Sequence, residues 1–132
     1  MHIVIMGCGR VGSALAQTLE QQGHTVAVID QDPTAFRRLG SGFGGRRVTG
    51  VGFDQDTLRE AGIEEAEVFI ASTDGDNTNL TIAQLASKRY GVPKVIARVM
   101  DPARAEWYAE QGLHTICPTR FAIEMFERAL EV

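Results

Sequence analysis

The feature that most constrains this chain is an alternation. Short, continuous apolar runs rich in β-branched residues take turns, six times over, with stretches of helical periodicity. The runs are His2 to Met6, Thr25 to Ile29, Arg47 to Thr49, Val68 to Ala71, Lys94 to Val99 and His114 to Cys117. Most do not alternate apolar with polar residues, which is the pattern of strands covered on both faces in a parallel sheet. Between them, Val11 to Gln22 places Val11, Leu15 and Leu19 on one helical face, and Gly23 stops it. Pro33 to Leu39 follows the capping residue Asp32, and Asp56 to Ala61 ends at Gly62. Asn77 to Tyr90 repeats Leu80, Ala83, Ala86 and Tyr90 at helical steps, Pro102 to Gln111 lies between Asp101 and Gly112, and Thr119 to Leu130 is the last helix. Strict strand–helix alternation forces parallel strands joined by right-handed crossovers, with helices on both faces. The predicted fold is an α/β, Rossmann-like, doubly wound sheet of six parallel strands in the order 3-2-1-4-5-6, one domain over residues 1–132.

Composition narrows the function. With 13 basic against 17 acidic residues the chain carries a net charge of −4, and its pI is about 5.3, so broad electrostatic binding to nucleic acid or anionic lipid is not expected. No apolar run approaches the ~20 residues needed to cross a bilayer, so direct membrane insertion is not expected either. Two cysteines, Cys8 and Cys117, are too few and too far apart for a disulfide framework or a zinc site, which fits a reducing cytoplasm.

The chemistry concentrates at the first strand-to-helix turn, Gly7-Cys8-Gly9-Arg10-Val11-Gly12. A G-x-G-x-x-G pattern alone says little. Between a strand and a helix of one βαβ unit, it has the context of a dinucleotide-binding turn. Gly7 permits the tight turn, Gly9 lets a pyrophosphate approach the backbone, and Gly12 lets the helix pack on the strand. The free amides of the helix start and the helix dipole then favour an anion. Asp30 ends the second strand 18 residues after Gly12, where a carboxylate accepts both ribose hydroxyls of an adenosine and repels a 2′-phosphate. NAD(H) or an adenine nucleotide is therefore expected over NADP(H). Asp32 reads as a helix cap, and the second glycine cluster, Gly40 to Gly45, precedes a strand and reads as a flexible surface loop. Asp74 and Asp76 read as a turn and a cap, without a metal.

With the loop, the Asp30 strand end, Ala71-Ser72-Thr73-Asp74, Asn77-Thr78-Asn79-Leu80, Ile96-Ala97-Arg98-Val99, Gly112 and Pro118 together, the chain resembles the TrkA N-terminal family, also called RCK or KTN domains, over essentially its whole length. The resemblance implies a cytoplasmic regulatory subunit that binds NAD(H) or ATP/ADP and controls a membrane potassium transporter or channel. It would work as a homodimer or larger ring, at the inner face of the cell membrane through its partner. It implies that Gly7, Cys8, Gly9, Arg10, Val11 and Gly12 hold the phosphates, with Arg10 reaching terminal phosphates. Asp30 would hold the ribose, Thr73 and Asp74 would line the nucleotide crevice, and Arg98 would stand near the bound nucleotide. Where the family usually has Gly-Asp after the third strand, this chain has Gly50-Val51, so Val51 would meet adenine only through backbone or apolar packing. Asp54 lies three residues further on. The family's second lobe is not expected within these residues.

Some residues keep two readings. Arg98, from its strand-end position alone, suits a ligand phosphate or a salt bridge to a neighbouring acid. Trp107 and Tyr108 would form a subunit contact or cover the sheet. The last helix, with Phe121, Met125 and Phe126, would cross to a partner protomer or fold back on its own sheet. The three histidines have no catalytic partner in the sequence. A regulatory module without catalysis is expected. The alternative is a small NAD-dependent oxidoreductase subunit that takes its substrate site from a second chain, because the nucleotide domain uses all 132 residues.

Overall fold

A computed structural model describes residues 1–131. Strands β1 (His2–Met6), β2 (Thr25–Asp30), β3 (Arg46–Thr49), β4 (Val68–Ala71), β5 (Lys94–Arg98) and β6 (His114–Ile116) form one sheet in the order β3-β2-β1-β4-β5-β6. Every pairing is parallel. Helices α1 (Arg10–Gln21), α2 (Gln55–Glu60), α3 (Asp76–Lys88), α4 (Pro102–Glu110) and α5 (Pro118–Leu130) fall within two residues of the expected boundaries.

The continuous apolar character of the strands has its cause in two cores. Val4 and Met6 of β1, with Ala27 and Ile29 of β2, face one core beneath α2, α3 and α4. Ile3 and Ile5, with Val26 and Val28, face the other, beneath α1. Successive side chains of a strand point to opposite faces, so a strand covered on both sides has no position left for a polar residue. Burying each such side chain is worth roughly 1.5–3 kcal/mol.

The structure departs from the sequence reading in five places, one of them Asp76, which does not cap α3 but accepts the Met100 and Asp101 amides at 2.7 and 3.0 Å. Residues Pro33–Leu39 form a 3-10 helix, not an α-helix, closed by Asp32 at one end and by Gly40 at φ +74° at the other. Only seven residues lie between these stops. A second 3-10 turn, Ile63–Glu65, precedes β4. The Gly40–Gly45 segment is not a detached surface loop: Phe43 is buried in the α1-side core, and the Arg47 guanidinium lies 5.2 Å from its ring centre. A Cβ on Gly45 would overlap the Phe43 ring and the Val26 carbonyl, so glycine lets this segment press against β2. Finally, α1 does not bury Val11. Its buried face is Gly12, Ser13 and Ala16, with Leu15 and Leu19 half-buried and Val11 exposed at the mouth of the crevice described next. Small residues win that face because the helix start lies directly on the β1 turn.

Candidate functional site

The strand order reverses between β1 and β4, where the chain leaves one half of the sheet for the other. Open α/β sheets bind ligands at such a switch point, outside the carboxyl ends of the strands. Here a crevice of about 700 Å³ opens at that place, lined by the 7–11 loop, the 29–32 strand end, Gly50, Gly52 and Phe53, the 72–74 segment and Arg98.

The β1–α1 corner explains why three glycines stand there. Gly7 has φ +104°, and a Cβ on it would come within 2.8 Å of the Ser72 carbonyl oxygen. The Gly7 amide donates to the Ile29 carbonyl at 2.8 Å, and the Ser72 hydroxyl donates to the Met6 carbonyl at 3.1 Å, so the turn is seated between β2 and β4. A Cβ on Gly12 would overlap the Gly7 carbonyl oxygen. Gly12 therefore serves helix packing and does not line the crevice. Gly9 is different: a Cβ there would meet nothing within 4 Å. The fold does not need glycine at position 9; the open space above it does. Gly9 is also the N-cap of α1 in extended conformation, with no side-chain cap and no acid in the first turn. The first amides of α1 consequently have no partner within the helix and point their partial positive charge outward.

Asp30 stands beside this corner. Its Oδ2 accepts the Cys8 amide at 2.8 Å and its Oδ1 accepts the Asp32 amide at 2.9 Å. Each oxygen keeps further lone-pair capacity toward the crevice. The Cys8 thiol, by contrast, is fully buried and donates to the Ala35 carbonyl at 3.4 Å, so its side chain is a floor beneath the loop and not a contact surface. Burial pushes this thiol above its ordinary pKa, and the Asp30 charge adds to the effect. Asp32 caps the 3-10 helix as read from sequence, its Oδ1 accepting the Thr34 amide at 3.0 Å and hydroxyl at 2.8 Å. Those bonds hold its carboxyl below the usual carboxylate range.

On the far side, Thr73, Asp74 and Arg98 come together. Arg98 donates to the Thr73 carbonyl at 2.6 Å and to Asp74 Oδ1 at 3.1 Å, while Asp74 is otherwise fully exposed. Arg98 therefore lines the crevice and, in line with its salt-bridge reading, pairs with an acid. Its buried Nε has no hydrogen-bond partner among the described residues.

Val51 does not join the site. It is 47% exposed and outside the crevice lining, which takes its neighbours Gly50, Gly52 and Phe53 instead. Asp54 is no substitute, since it caps α2 through the Asp56 amide and the Thr57 hydroxyl.

Sequence reasoning missed Gln31, Phe53 and Thr78 in the lining, and two residues that hold the site together. Asn79 is buried on α3; its Oδ1 accepts from the Thr73 amide and hydroxyl, and its Nδ2 donates to the Thr73 and Arg98 carbonyls, each at 2.9 Å. It ties the ends of β4 and β5 together, and its sequence signal is a polar residue beside the apolar positions Leu80, Ala83 and Ala86. Arg38 lines the crevice and donates to the Cys8 carbonyl at 3.4 Å; no local pattern marks it.

The TrkA-N domain model matches residues 3–118, all of the sheet but His2 and every crevice residue. The chain belongs to the TrkA-N domain family. This TrkA-N domain is 65% identical over 130 residues to the Trk system potassium uptake protein TrkA of Streptomyces coelicolor, an overlap covering 98% of this chain and 58% of that protein. The chain thus spans less than two-thirds of that relative. Among solved structures, the TrkA-N domain superposes on the Kef CTD of Shewanella denitrificans in its AMP-bound form with a TM-score of 0.82, at 26% identity over 99% of this chain and 80% of that one. It superposes on the GsuK channel bound to NAD with a TM-score of 0.72, at 24% identity over 89% of this chain and 21% of that one; at that identity the likeness is one of fold. No helix among the described residues is long and apolar enough to cross a membrane.

Proposed function

We propose that this TrkA-N domain is the nucleotide-sensing part of a potassium uptake regulator. It binds NAD(H) or ATP/ADP in the crevice, in the cytoplasm, and acts on a potassium transporter or channel at the inner face of the membrane. The observation that carries the reading is the uncapped start of α1, with open space over Gly9 and the Asp30 carboxylate beside it. The amides of Gly9, Arg10 and Val11 would take the diphosphate and Arg10 a terminal phosphate. Asp30 would take the ribose hydroxyls, and Thr73, Asp74 and Arg98 would face the far end of a dinucleotide. The AMP-bound and NAD-bound relatives support this choice of ligand, and the name of the Streptomyces relative supports the potassium system.

No chemistry on the ligand is required. A nucleotide that binds one arrangement of paired domains better than another shifts the equilibrium between them, and a membrane partner feels that shift. A homodimer or ring would form through α5, which buries none of its residues and exposes Phe121, Ile123 and Phe126. Calorimetric titration with NADH, ADP, ATP and NADPH tests the reading: saturable binding of the first three with weaker NADPH is expected, and equal affinity for NADPH overturns the role of Asp30. Co-purification with a potassium transporter, lost on deleting residues 119–132, is the expected result for the partner.

A further inference from the structure

After β3 the described residues of the crevice lining present no fixed polar side chain that would tell one purine from another. Adenine offers a donor at its six-position where guanine offers an acceptor, and strong discrimination needs a fixed, desolvated protein group opposite that atom. After β3 the lining is Gly50, Gly52 and Phe53, so the one side chain presented there is an aromatic ring, 48% exposed. Asp54 is turned into the α2 cap and Val51 lies outside the lining. After β2, the Asp30 carboxylate is held by two amides and Asp32 Oδ1 by both Thr34 donors. The amide of Gln31, also in the lining, carries a donor and an acceptor and so suits either base edge.

We propose that Phe53 receives the base by stacking, and that the crevice consequently takes purine nucleotides with little regard to their exocyclic groups, guanosine diphosphate as readily as adenosine diphosphate. Every base has a π-face, which is why stacking tolerates sequence. The half-exposed ring leaves the base edge in water, so no buried polar group is left unpaired by the other purine. This rests on the nucleotide-binding reading above and adds to it which part of the ligand is read: diphosphate and ribose, not the base edge.

Titration of the full chain with ADP, GDP and inorganic pyrophosphate tests it. The two nucleotides are expected to bind within about threefold of each other. Phe53→Ala should weaken both by about tenfold and leave pyrophosphate unchanged, whereas Phe53→Trp should retain both. Asp32→Asn should leave the ADP-to-GDP ratio where it was. A preference for ADP above about tenfold, or a ratio that moves in Asp32→Asn, means that an acid reads the base and overturns the stacking proposal while nucleotide binding stands. Phe53→Ala without effect overturns it too. If neither nucleotide binds, the stacking proposal falls, and it takes the nucleotide-binding reading with it only if NADH, titrated alongside, also fails to bind.

Discussion

Helices α1 and α5 are nearly the same length, 12 and 13 residues, and both are amphipathic in sequence, yet they end in opposite situations. Helix α1 carries its large apolar residues at half-buried or exposed positions and is anchored by Gly12, Ser13 and Ala16. Helix α5 has a richer apolar face and buries none of it: Phe121 is 63% exposed, Phe126 74% and Leu130 86%. The lesson is that anchoring follows close backbone approach, not side-chain size. The small residues of α1 let the helix start sit on the β1 turn, which in turn aims its free amides into the crevice. The large residues of α5 stay exposed among the described residues and remain available to another surface.

The strongest test of this contrast is Gly12→Val. Its side chain would overlap the Gly7 carbonyl, a backbone atom that cannot step aside, and a loss of more than about 3 kcal/mol is expected in urea unfolding. Phe126→Ser on α5 should change the same measurement by less than about 0.5 kcal/mol while lowering the particle mass in solution. A destabilisation matching that of a core residue would put α5 inside its own domain. Next comes Gly9→Leu, which enters open space: unfolding should move by less than about 1 kcal/mol, while NADH affinity falls about 100-fold or more in calorimetry. Retained affinity would detach the α1 start from ligand binding.

Smaller effects separate the two walls of the crevice. Asp30→Asn should cost about tenfold in NADH affinity and narrow the gap to NADPH, because one ribose acceptor and the charge against a 2′-phosphate are lost together. For the thiols, alkylation at mildly alkaline pH should modify Cys117 well before Cys8, whose burial raises its pKa and shields it. Because that pKa is raised on folding, the contribution of the Cys8 thiol is complete below its unfolded pKa and fades as pH rises through the folded value. The smallest effect belongs to Asp32, whose pKa is lowered on folding. Its contribution is present above the ordinary carboxylate range and lost as pH falls through the folded value, so Asp32→Asn should slightly flatten the acid limb of a stability–pH profile.

Much of the site was legible in local pattern. Gly7, Gly9 and Gly12 occupy a turn whose geometry depends on a few adjacent residues, and Asp30 ends a strand whose partner is next in sequence. Asp32 and Asp101 could be read as caps because a cap acts two or three residues away. Val51 and Phe53 could not be sorted in this way. They lie two residues apart on one loop, and only the packing of Gly52 against Met6 and Ile82 settles which side chain meets the crevice. Arg98 carried two readings because its partner Asp74 is 24 residues away, and Asn79 clamps β4 to β5 through bonds that no short window contains.

The sequence by itself determined the layered architecture, the strand order and the position of the glycine turn, because periodicity, parallel pairing and crossover handedness leave a chain of alternating strands and helices almost no other arrangement. The tertiary structure alone decided which faces close and which stay open: that small residues seat α1, that Phe43 enters the core, that Phe53 and not Val51 lines the crevice, and that the apolar face of α5 stays exposed among the described residues. The physical reason is that hydrogen-bonded periodicity is a local property of the backbone. Whether an apolar side chain is covered depends on what happens to stand opposite it after the chain has folded.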